Sequence, residues 1–400
     1  MKSCVSDIKT RRSSMTCKMI VQKGTFADSL AIVGRAVGSH SHLPILSNVL
    51  LNKDEGQLRL SATDLTMGVT LWMDANMDGE LGITLPAKTL TDVVNSLTEP
   101  EIVFSVNGKP EASLKCGSYK GVVKGVEASE FPAIPVFDFS DGVSLEATIL
   151  REMILKTAFA ASMDDSRPVL TGVLLNIDGK SISMVATDGF RLAICKAELP
   201  VALGKKQLII PASTLREVVR ILGAIKTSQI TLCLPITGSQ VAIRCENVQI
   251  VSQLIDGKFP DYQAILPKGY KTRTVIGAVD LLKACKQAGI IAREGSNVVR
   301  FHLKPGIDQT GKVQLLSESD ETGASEIELD ATVEGQELEI AFNVKFLQDG
   351  LEAISTKKVV IEINAHNTPA IIRPADREAS PLGEEEGFLY VLMPMHIDGK

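Results

Sequence analysis

Apolar and polar positions follow two different periods along this chain. Three segments place apolar residues at every third or fourth position: TFADSLAIVGRAVG at 25–38, TILREMILKTAFAAS at 148–162 and VDLLKACKQAGIIA at 279–292. This spacing predicts helices with one apolar face. Elsewhere apolar and polar residues alternate, as in VLLNI at 173–177 and VAIRC at 241–245. Alternation predicts strands with one buried face, so we expect a mixed chain with more strands than helices.

Two landmarks in this pattern occur three times each. The first is a strand that runs into an acidic turn: LRLSATDLTMGVT at 58–70, ISMVATDGFRLAI at 182–194 and VQLLSESDETGAS at 313–325. The second is an apolar strand that leads into a helix, which we expect to be entered through Ser or Thr: ITLPAKTLTDVVNSL at 83–97, LIIPASTLREVVRIL at 208–222 and IAFNVKFLQDGLEAI at 340–354. Asp64 and Asp188 are 124 positions apart, and Asp188 and Asp320 are 132 apart. This near-constant spacing predicts a triplicated module.

The repeat sets the predicted domain organisation. We expect three homologous α+β domains, each with two helices packed on antiparallel sheet, at 19–140, 141–268 and 272–397. Turns are predicted at Asn107-Gly108 and Asp256-Gly257. A basic, disordered arm is predicted at 1–18, and a mobile loop at the insertion 374–387. Domains that share sheet edges build an arc, and symmetric association closes an arc, so the chain would form half of a closed ring.

The repeated Ala-Thr-Asp phrase has two interpretations. Asp188-Gly189 is typical of a hairpin turn, because glycine tolerates a positive φ. A metal or catalytic role for Asp64, Asp188 and Asp320 would need further ligands or a base, and the third copy (SESD) has no matching His or Cys. We favour turn chemistry and keep the enzyme as a minor alternative.

Composition and motifs narrow the function. The net charge of −6 argues against a protein that coats nucleic acid indiscriminately, although it leaves room for a basic strip. Seven scattered cysteines, no apolar run of 18 residues and no secretory signal predict a cytoplasmic protein. We find no G-x-S-x-G, G-x-G-x-x-G or H-x-x-x-H pattern. We therefore predict no catalytic residues, no metal site and no cofactor.

Cations recur on the predicted helices, on the face away from the apolar stripe. Those expected to contact DNA are Arg35, Lys88, Arg151, Lys156, Arg216, Arg220, Lys283 and Lys286. If the helices face the hole of a ring, these side chains would attract the phosphate backbone without reading sequence. A solvated helix face is the alternative interpretation.

Six segments, taken together and in this order along the chain, resemble the bacterial DNA sliding clamp family, the beta subunit of DNA polymerase III. They are LPILSNVLL (43–51), SRPVLTG (166–172), VATDGFRLAIC (185–195), FPDYQAILP (259–267), FNV (342–344) and YVLMPMHI (390–397). The resemblance extends from about Met19 to Ile397. It implies a head-to-tail homodimeric ring around double-stranded DNA that tethers DNA polymerase III subunits and is loaded by a separate clamp loader. The alternative is a peptide-binding adaptor that does not encircle DNA.

The resemblance also implies a surface for short linear peptides of polymerase, loader and other replication and repair proteins. By motif it comprises Arg167, Leu170, Thr187, Gly189, Phe190, Arg191, Leu192, Pro260, Ile265, Val391, Met393, Pro394 and Met395. We expect Arg167 and Arg191 to stand at its rim and to fix the polarity of the peptide.

This chain departs from the family pattern at several positions of that surface and of the subunit edge. Phe190 stands where the family commonly has His, Ala264 where it often has a basic residue, and His396 where it has Arg. Gly121 replaces a large apolar residue at the subunit edge, so the dimer-interface candidates are Val123, Ile290 and Ile291.

Overall fold

The computed structural model describes most of the chain, and its contacts divide it into two compact units. The described residues are 16–38, 43–234, 238–294, 296–307, 310–375 and 387–396. One unit comprises the described residues up to Ser144 together with Ile221–Gln253, and the other comprises Leu145–Arg220 together with the described residues from Leu254 onward. Across these ranges, no helix is both long and apolar enough to cross a membrane.

Each of the three repeats has the same order of elements, in which a strand and a helix are followed by strands, a second helix and more strands. The first consists of β1 (Thr16–Gln22), α1 (Lys23–Val33), β2 (Asn48–Asp54), β3 (Gln57–Thr63), β4 (Met67–Met73), β5 (Asn76–Gly79), β6 (Gly82–Pro86), α2 (Ala87–Ser96), β7 (Glu101–Asn107), β8 (Glu111–Cys116), β9 (Tyr119–Lys124) and β10 (Val126–Glu127). The second consists of β11 (Val143–Glu146), α3 (Ala147–Thr157), β12 (Gly172–Thr187), β13 (Arg191–Pro211), α4 (Ala212–Ile225), β14 (Gln229–Cys233), β15 (Gln240–Cys245) and β16 (Val248–Gln253). The third consists of β17 (Thr272–Gly277), α5 (Ala278–Ala292), β18 (Val298–Pro305), β19 (Thr310–Ser319), β20 (Gly323–Gly335), β21 (Leu338–Asn343), α6 (Val344–Glu352), β22 (Lys358–Ile363), β23 (Ala370–Pro374) and β24 (Phe388–Leu392).

The strands form three antiparallel sheets, and two of these sheets join neighbouring repeats. A five-stranded sheet has the order β5-β1-β7-β8-β9, and a nine-stranded sheet has the order β10-β6-β2-β3-β4-β16-β15-β14-β11. A ten-stranded sheet has the order β12-β13-β24-β23-β22-β17-β20-β19-β18-β21. The first and second repeats join where β4 pairs with β16, and the second and third where β13 pairs with β24. The middle repeat therefore contributes strands to both units, which is why the contacts divide it.

Burial follows the periods read from the sequence. Helix α2 buries Ala87, Leu90 and Val94, which lie on one face of a helix. Strand β7 alternates, with Ile102, Phe104 and Val106 buried and the residues between them more exposed. The predicted α+β class with antiparallel sheet is confirmed.

Two boundaries differ from the sequence predictions. The predicted arm is wrong at residues 16–18, because β1 begins at Thr16, pairs Cys17 with Val106, and buries Cys17 and Met19 in the core. Residues 1–15 lie outside the described ranges. The helices α2 and α4 begin at Ala87 and Ala212, ahead of the expected Thr and Ser. A proline with its fixed φ precedes each helix, and α2 starts after Pro86 without a side-chain cap.

Helix α6, which is the second helix of the third repeat, and the two predicted turns agree with the sequence predictions only in part. Helix α6 does have a cap, since Asn343 Oδ1 accepts from the N–H groups of Lys345 (3.0 Å) and Phe346 (3.4 Å). Asn107-Gly108 forms a turn between β7 and β8, with φ +68° at Gly108. Asp256-Gly257 does not join two strands, because β16 ends at Gln253 and β17 begins at Thr272. Most of the insertion, 376–386, lies outside the described residues.

Candidate partner-binding surface

The second Ala-Thr-Asp turn is held by its own side chains. Asp188 Oδ1 accepts from the N–H groups of Phe190 (2.9 Å) and Arg191 (3.0 Å). The Thr187 hydroxyl donates to the carbonyl of Arg191 at 2.6 Å. Gly189 has φ +96°, which glycine adopts without strain. These bonds present Phe190 and Arg191 at a fixed place beside the end of β24.

The first copy of the turn has the same bonds, so the interpretation as turn chemistry is confirmed. Asp64 Oδ1 accepts from the N–H groups of Thr66 (2.9 Å) and Met67 (2.7 Å), and Thr63 donates to the Met67 carbonyl (2.8 Å). In the third copy Ser319 Oγ accepts from the N–H groups of Glu321 (3.3 Å) and Thr322 (3.4 Å). Within the part of the chain that the structure describes, no group of three or more His, Cys, Asp or Glu could hold a metal ion.

Arg191 points into the joint between the second and third repeats. Its Nε donates to Asp188 Oδ2 at 2.9 Å, Nη1 to Asp349 Oδ2 at 2.5 Å, and Nη2 to the carbonyl of Phe159 at 2.9 Å. The guanidinium lies 4.3 Å from the centre of the Phe346 ring. Its side chain is 9% exposed. Arg191 therefore connects the turn to α6, and the expectation that it stands at the rim of the surface is wrong.

The charge on Arg191 is secured by its neighbours. Burial by itself would lower the pKa of Arg191, but the hydrogen bond to Asp349 and the negative charges of Asp188 and Asp349 leave this pKa raised overall. Tyr390, which is fully buried, donates its hydroxyl to the carbonyl of Phe346 at 2.8 Å. The joint is thus a compact group of aromatic rings around one permanent cation.

Arg167 is the accessible cation of the predicted surface. Its side chain is about half exposed, and its Nε lies 3.6 Å from Asp164 Oδ2. Hydrogen bonds from Ser166, together with the charge of Arg167, hold the pKa of Asp164 below its usual value. A methyl group at Gly189 would lie 3.4 Å from Arg167 Nη1, so the guanidinium borders the turn.

An apolar cluster forms the floor of this surface. Its buried members are Leu174, Val185, Leu192, Ile194, Ile209, Phe259, Ile371 and Val391. Val169, Ile255, Tyr262, Leu266 and Leu389 pack against them and are partly exposed. Leu192 faces Val391 across the β13–β24 pairing, and both are 1% exposed. These two predicted contacts, with buried Thr187, are therefore part of the supporting layer.

Other predicted contacts reach solvent. Large exposed fractions belong to Phe190 (59%), Ile265 (49%) and Met393 (39%). Pro260 is also exposed, while Leu170, Pro394 and Met395 are half-buried. The N–H of Met393 donates to the carbonyl of Phe190 at 2.9 Å, which brings the tail beside the turn.

Sequence reasoning missed the residues that position this surface. Phe190 stacks on Phe346 with ring centres 6.5 Å apart and planes at 25°. Phe159 contacts Tyr390 with ring centres 5.6 Å apart. Aromatic residues make up only 4% of the chain, so their positions are a signal that could have marked this joint.

The cations expected to contact DNA all lie on helices or directly after one. Arg35 follows α1, Lys88 is on α2, Arg151 and Lys156 are on α3, Arg216 and Arg220 are on α4, and Lys283 and Lys286 are on α5. All are exposed except the half-buried Lys156 and Arg216. Arg216 donates to the carbonyl of Ala158 at 2.8 Å, and burial, then Arg220 and Arg191, lower its pKa. Arg216 therefore has a structural contact besides any contact with DNA.

A shallow cavity between α5 and α6 gathers further positive charge. Lys286, Arg293 and Lys345 line it, together with the amide side chains of Asn297 and Gln348. Lys286 also pairs with Glu352 at 2.8 Å, so part of this charge is offset. Arg293 and Lys345 thereby extend the predicted basic face of the third repeat.

The dimer-interface candidates differ in exposure. Ile290, near the end of α5, is 65% exposed, and Ile291 is half-buried. Val123 is 5% exposed because it points into the core of its own repeat, so it has little surface left for a partner. Its neighbour on the edge strand, Val122, points outward and is 59% exposed.

Together these features define a class of protein: three copies of one α+β module joined through their sheets, with cations on the helices and an apolar surface at one joint.

Comparison with known proteins agrees with this class. The N-terminal, central and C-terminal domain models of the DNA polymerase III beta subunit match residues 17–135, 144–261 and 263–395. A beta sliding clamp of Synechococcus elongatus is 31% identical over 384 residues, covering 95% of this chain and 99% of that protein. The chain therefore belongs to the DNA polymerase III beta subunit family, the sliding clamps.

Solved structures confirm the three-domain clamp fold. The DNA polymerase III beta subunit of Thermotoga maritima is 27% identical, with a TM-score of 0.85 over 95% of this chain and 100% of that one. A sliding clamp of Pseudomonas aeruginosa bound to griselimycin is 28% identical, with a TM-score of 0.86 over 95% and 100%. Members of this family are processivity factors and not enzymes. The alternatives of a catalytic chain and of a peptide-binding adaptor that does not encircle DNA are not favoured.

Proposed function

We propose that two copies of this chain close head to tail into a ring around double-stranded DNA in the cytoplasm. The ring tethers DNA polymerase III and other partners and is placed on DNA by a clamp loader. The observation that carries the proposal is that both joints within the chain pair equivalent strands in equivalent registers, which we call the pairing rule. The same rule matches an open strand edge of the third repeat with an open strand edge of the first repeat of another copy.

The pairing rule is set by the turn. In the first joint Met67 pairs with Ser252, and in the second Arg191 pairs with Leu392. Met67 and Arg191 each lie three residues after the turn aspartate, and the matching residue of the third repeat is Gly323. From Gly323 to Ala331, β20 has only β19 beside it among the described residues. The strand that would complete it is β9, the edge strand of the first repeat of another copy, which among the described residues pairs only with β8.

The same rule gives a register for two copies. Cys116 pairs with Tyr119 across the β8–β9 turn, just as Cys245 pairs with Val248 across the β15–β16 turn. Tyr119 is therefore equivalent to Val248, and Val123, four residues later, is equivalent to Ser252. Gly323 of one copy would therefore face Val123 of the other, and Glu326 would face Lys120. Opposite charges directly across an antiparallel pair are favourable, which supports this register.

Contact with DNA is assigned to the helix cations. Arg151, Lys88 and Lys283 are exposed on three different helices of three repeats. Lysine and arginine side chains that contact only phosphates bind DNA without reading its bases, as a sliding ring requires. The net charge of −6 argues against indiscriminate binding of nucleic acid over the whole surface.

Partner peptides are assigned to the apolar surface beside the turn. Its buried floor and its exposed Phe190, Ile265 and Met393 offer apolar contact, and Arg167 offers a charge at the edge. Short linear peptides of polymerase subunits, the loader and repair proteins would bind there. Methionine and aromatic side chains suit this use because they adapt to different partners.

The proposal is tested by loading the protein onto nicked circular DNA and then cutting the circle with a restriction enzyme. We expect retention on the circle and rapid loss after cutting, with retention restored when both ends are blocked by bound protein. Equal retention on open linear DNA would show that the link is not topological.

A pair of charge variants separates the helix face from the rest of the surface. Arg151→Glu with Lys283→Glu should shorten the lifetime on circular DNA. Lys180→Glu with Lys205→Glu makes the same change of charge on exposed residues of β12 and β13, and should leave that lifetime unchanged. Equal effects of the two pairs would remove the assignment of DNA contact to the helices.

A further inference from the structure

The edge strand β9 contains an unusual pair of residues. The ring of Tyr119 lies over Gly121, so that its Cζ is 2.7 Å from the point that a Cβ at Gly121 would occupy. A side chain at position 121 would therefore displace the ring. Tyr119 keeps 36% of its surface exposed although it lies on the face of β9 that also carries buried Val123. Glycine at 121 gives the tyrosine this position.

The joint inside the chain shows what this position faces. The pairing rule matches Val123 to Leu392, so Gly121 matches Tyr390 two residues earlier. Tyr390 is fully buried, and its ring contacts Phe159 with centres 5.6 Å apart. An aromatic ring at this position therefore receives an apolar side chain that follows the first helix of the preceding repeat.

The third repeat offers the counterpart of Phe159. Helices α3 and α5 align through their first buried residues, Ala147 with Ala278 and Leu150 with Leu281. This alignment places Ile290 where Phe159 stands. Ile290 is 65% exposed, whereas Phe159 is packed against Tyr390 and Arg191. The third repeat thus presents an apolar side chain that is largely open to solvent.

We propose that Tyr119, held over Gly121, is the residue that receives Ile290 of the second copy. The Tyr119 ring comes from a strand position two residues before Gly121, which is the position that matches Tyr390. Gly121 has no side chain and so leaves the space that this ring occupies. This inference rests on the proposed head-to-tail association and names the residue that stabilises it.

The test is the dissociation constant of the dimer, measured by sedimentation equilibrium on the full chain. Tyr119→Ser should weaken the dimer at least tenfold, because a large apolar contact is lost at the joint. Tyr119→Phe should stay within about twofold, since the ring and not the hydroxyl makes the contact. The matched control is Tyr270→Ser, another tyrosine with 44% exposure, which should leave the constant unchanged.

A rescue variant guards against simple loss of folding. Tyr119→Ser combined with Gly121→Leu places an apolar side chain directly at the position matched to Tyr390, and should recover most of the lost affinity. In a double-mutant cycle, Ile290→Ala should have a much smaller effect when Tyr119 is already serine. Additive effects of the two substitutions would overturn the contact.

Two failures are distinguishable. A wild-type chain that stays monomeric at micromolar concentration would overturn the proposed ring and this inference with it. A wild-type dimer whose dissociation constant changes less than twofold on Tyr119→Ser would overturn this inference alone.

Discussion

At the scale of single residues, Arg191 shows how one side chain can unite two repeats. Three of its donors are used by Asp188, Asp349 and a carbonyl, and Asp349 is 158 positions away along the chain. Arginine suits this place because its planar group forms several directed hydrogen bonds while it stacks on a ring. The sequence marked Arg191 through its motif, but the direction of its side chain depends on α6, which no local pattern reveals.

Removal of this cation should destabilise the second unit. Arg191→Met leaves Asp188 and Asp349 without their partner, and we expect the free energy of unfolding to fall by about 3 kcal/mol, as for other broken buried ion pairs. Equilibrium denaturation in urea measures this change. Arg167→Met is the matched control, and because Arg167 is half exposed its loss should cost less than about 1 kcal/mol. Similar costs for both would contradict the structural role of Arg191.

At the scale of elements, one turn is built twice from the same phrase but with different residues after the aspartate. The first copy holds Leu65 at φ +75°, and the second holds Gly189 at φ +96°. Residues with a Cβ atom, unlike glycine, are strained at such angles. The hydrogen bonds of Asp64 and Asp188 are the same in kind, so the two turns form a natural comparison of side chains at one backbone position.

Opposite substitutions in these turns should change stability in opposite directions. Gly189→Ala introduces the strain and should lower the free energy of unfolding by about 1 kcal/mol. Leu65→Gly relieves it and should raise that energy by about 0.5 kcal/mol, since Leu65 is half exposed and loses little packing. Thermal unfolding of both variants is the measurement. A loss of stability in both would show that the turn backbone is not strained at Leu65.

The elements also show what a sequence can and cannot predict. Repeated spacing gave the three modules, and apolar periods gave their helices and strands, because both depend on local pattern. The early start of β1 was missed because its core contact, Cys17 opposite Val106, lies far along the chain. Asp256-Gly257 was predicted as a turn between strands but does not join two strands, because turn residues alone do not reveal whether a strand follows. For the proposed peptide surface, the motifs supplied the candidate residues, but their division into buried floor and exposed side chains came only from packing.

At the scale of the whole molecule, the chain is built by repeating one joint. Each joint adds the last strand of one repeat to the sheet of the repeat before it, and the same operation applied between copies would leave no open edge of this kind. Under the proposed association, Lys120 and Glu326 would face each other across the joint between two copies, and Ile290 would lie at the same joint. The sequence alone supplied the repeat, while the pairing of strands supplied the register.

That register can be tested with paired cysteines. Val122→Cys with Ala324→Cys places two thiols opposite each other in the proposed pairing, at a separation that a disulfide can span. We expect a covalent dimer on oxidation, seen by non-reducing electrophoresis. Val122→Cys with Ser325→Cys shifts the register by one residue, points the thiols to opposite faces and should cross-link poorly. Preferential linkage of the shifted pair would overturn the register.

The joint between β4 and β16 also has a consequence for synthesis of the chain. Trp72 and its partner Asn247 are 175 positions apart, so β4 leaves the ribosome long before the strand that covers its edge. At translation rates of about 5–20 residues per second, the delay is roughly 9–35 s. During that interval the nascent chain carries an unprotected strand edge, a template for aggregation. Slow translation between these two strands, or the absence of chaperones that shield nascent chains, should therefore lower the yield of folded protein.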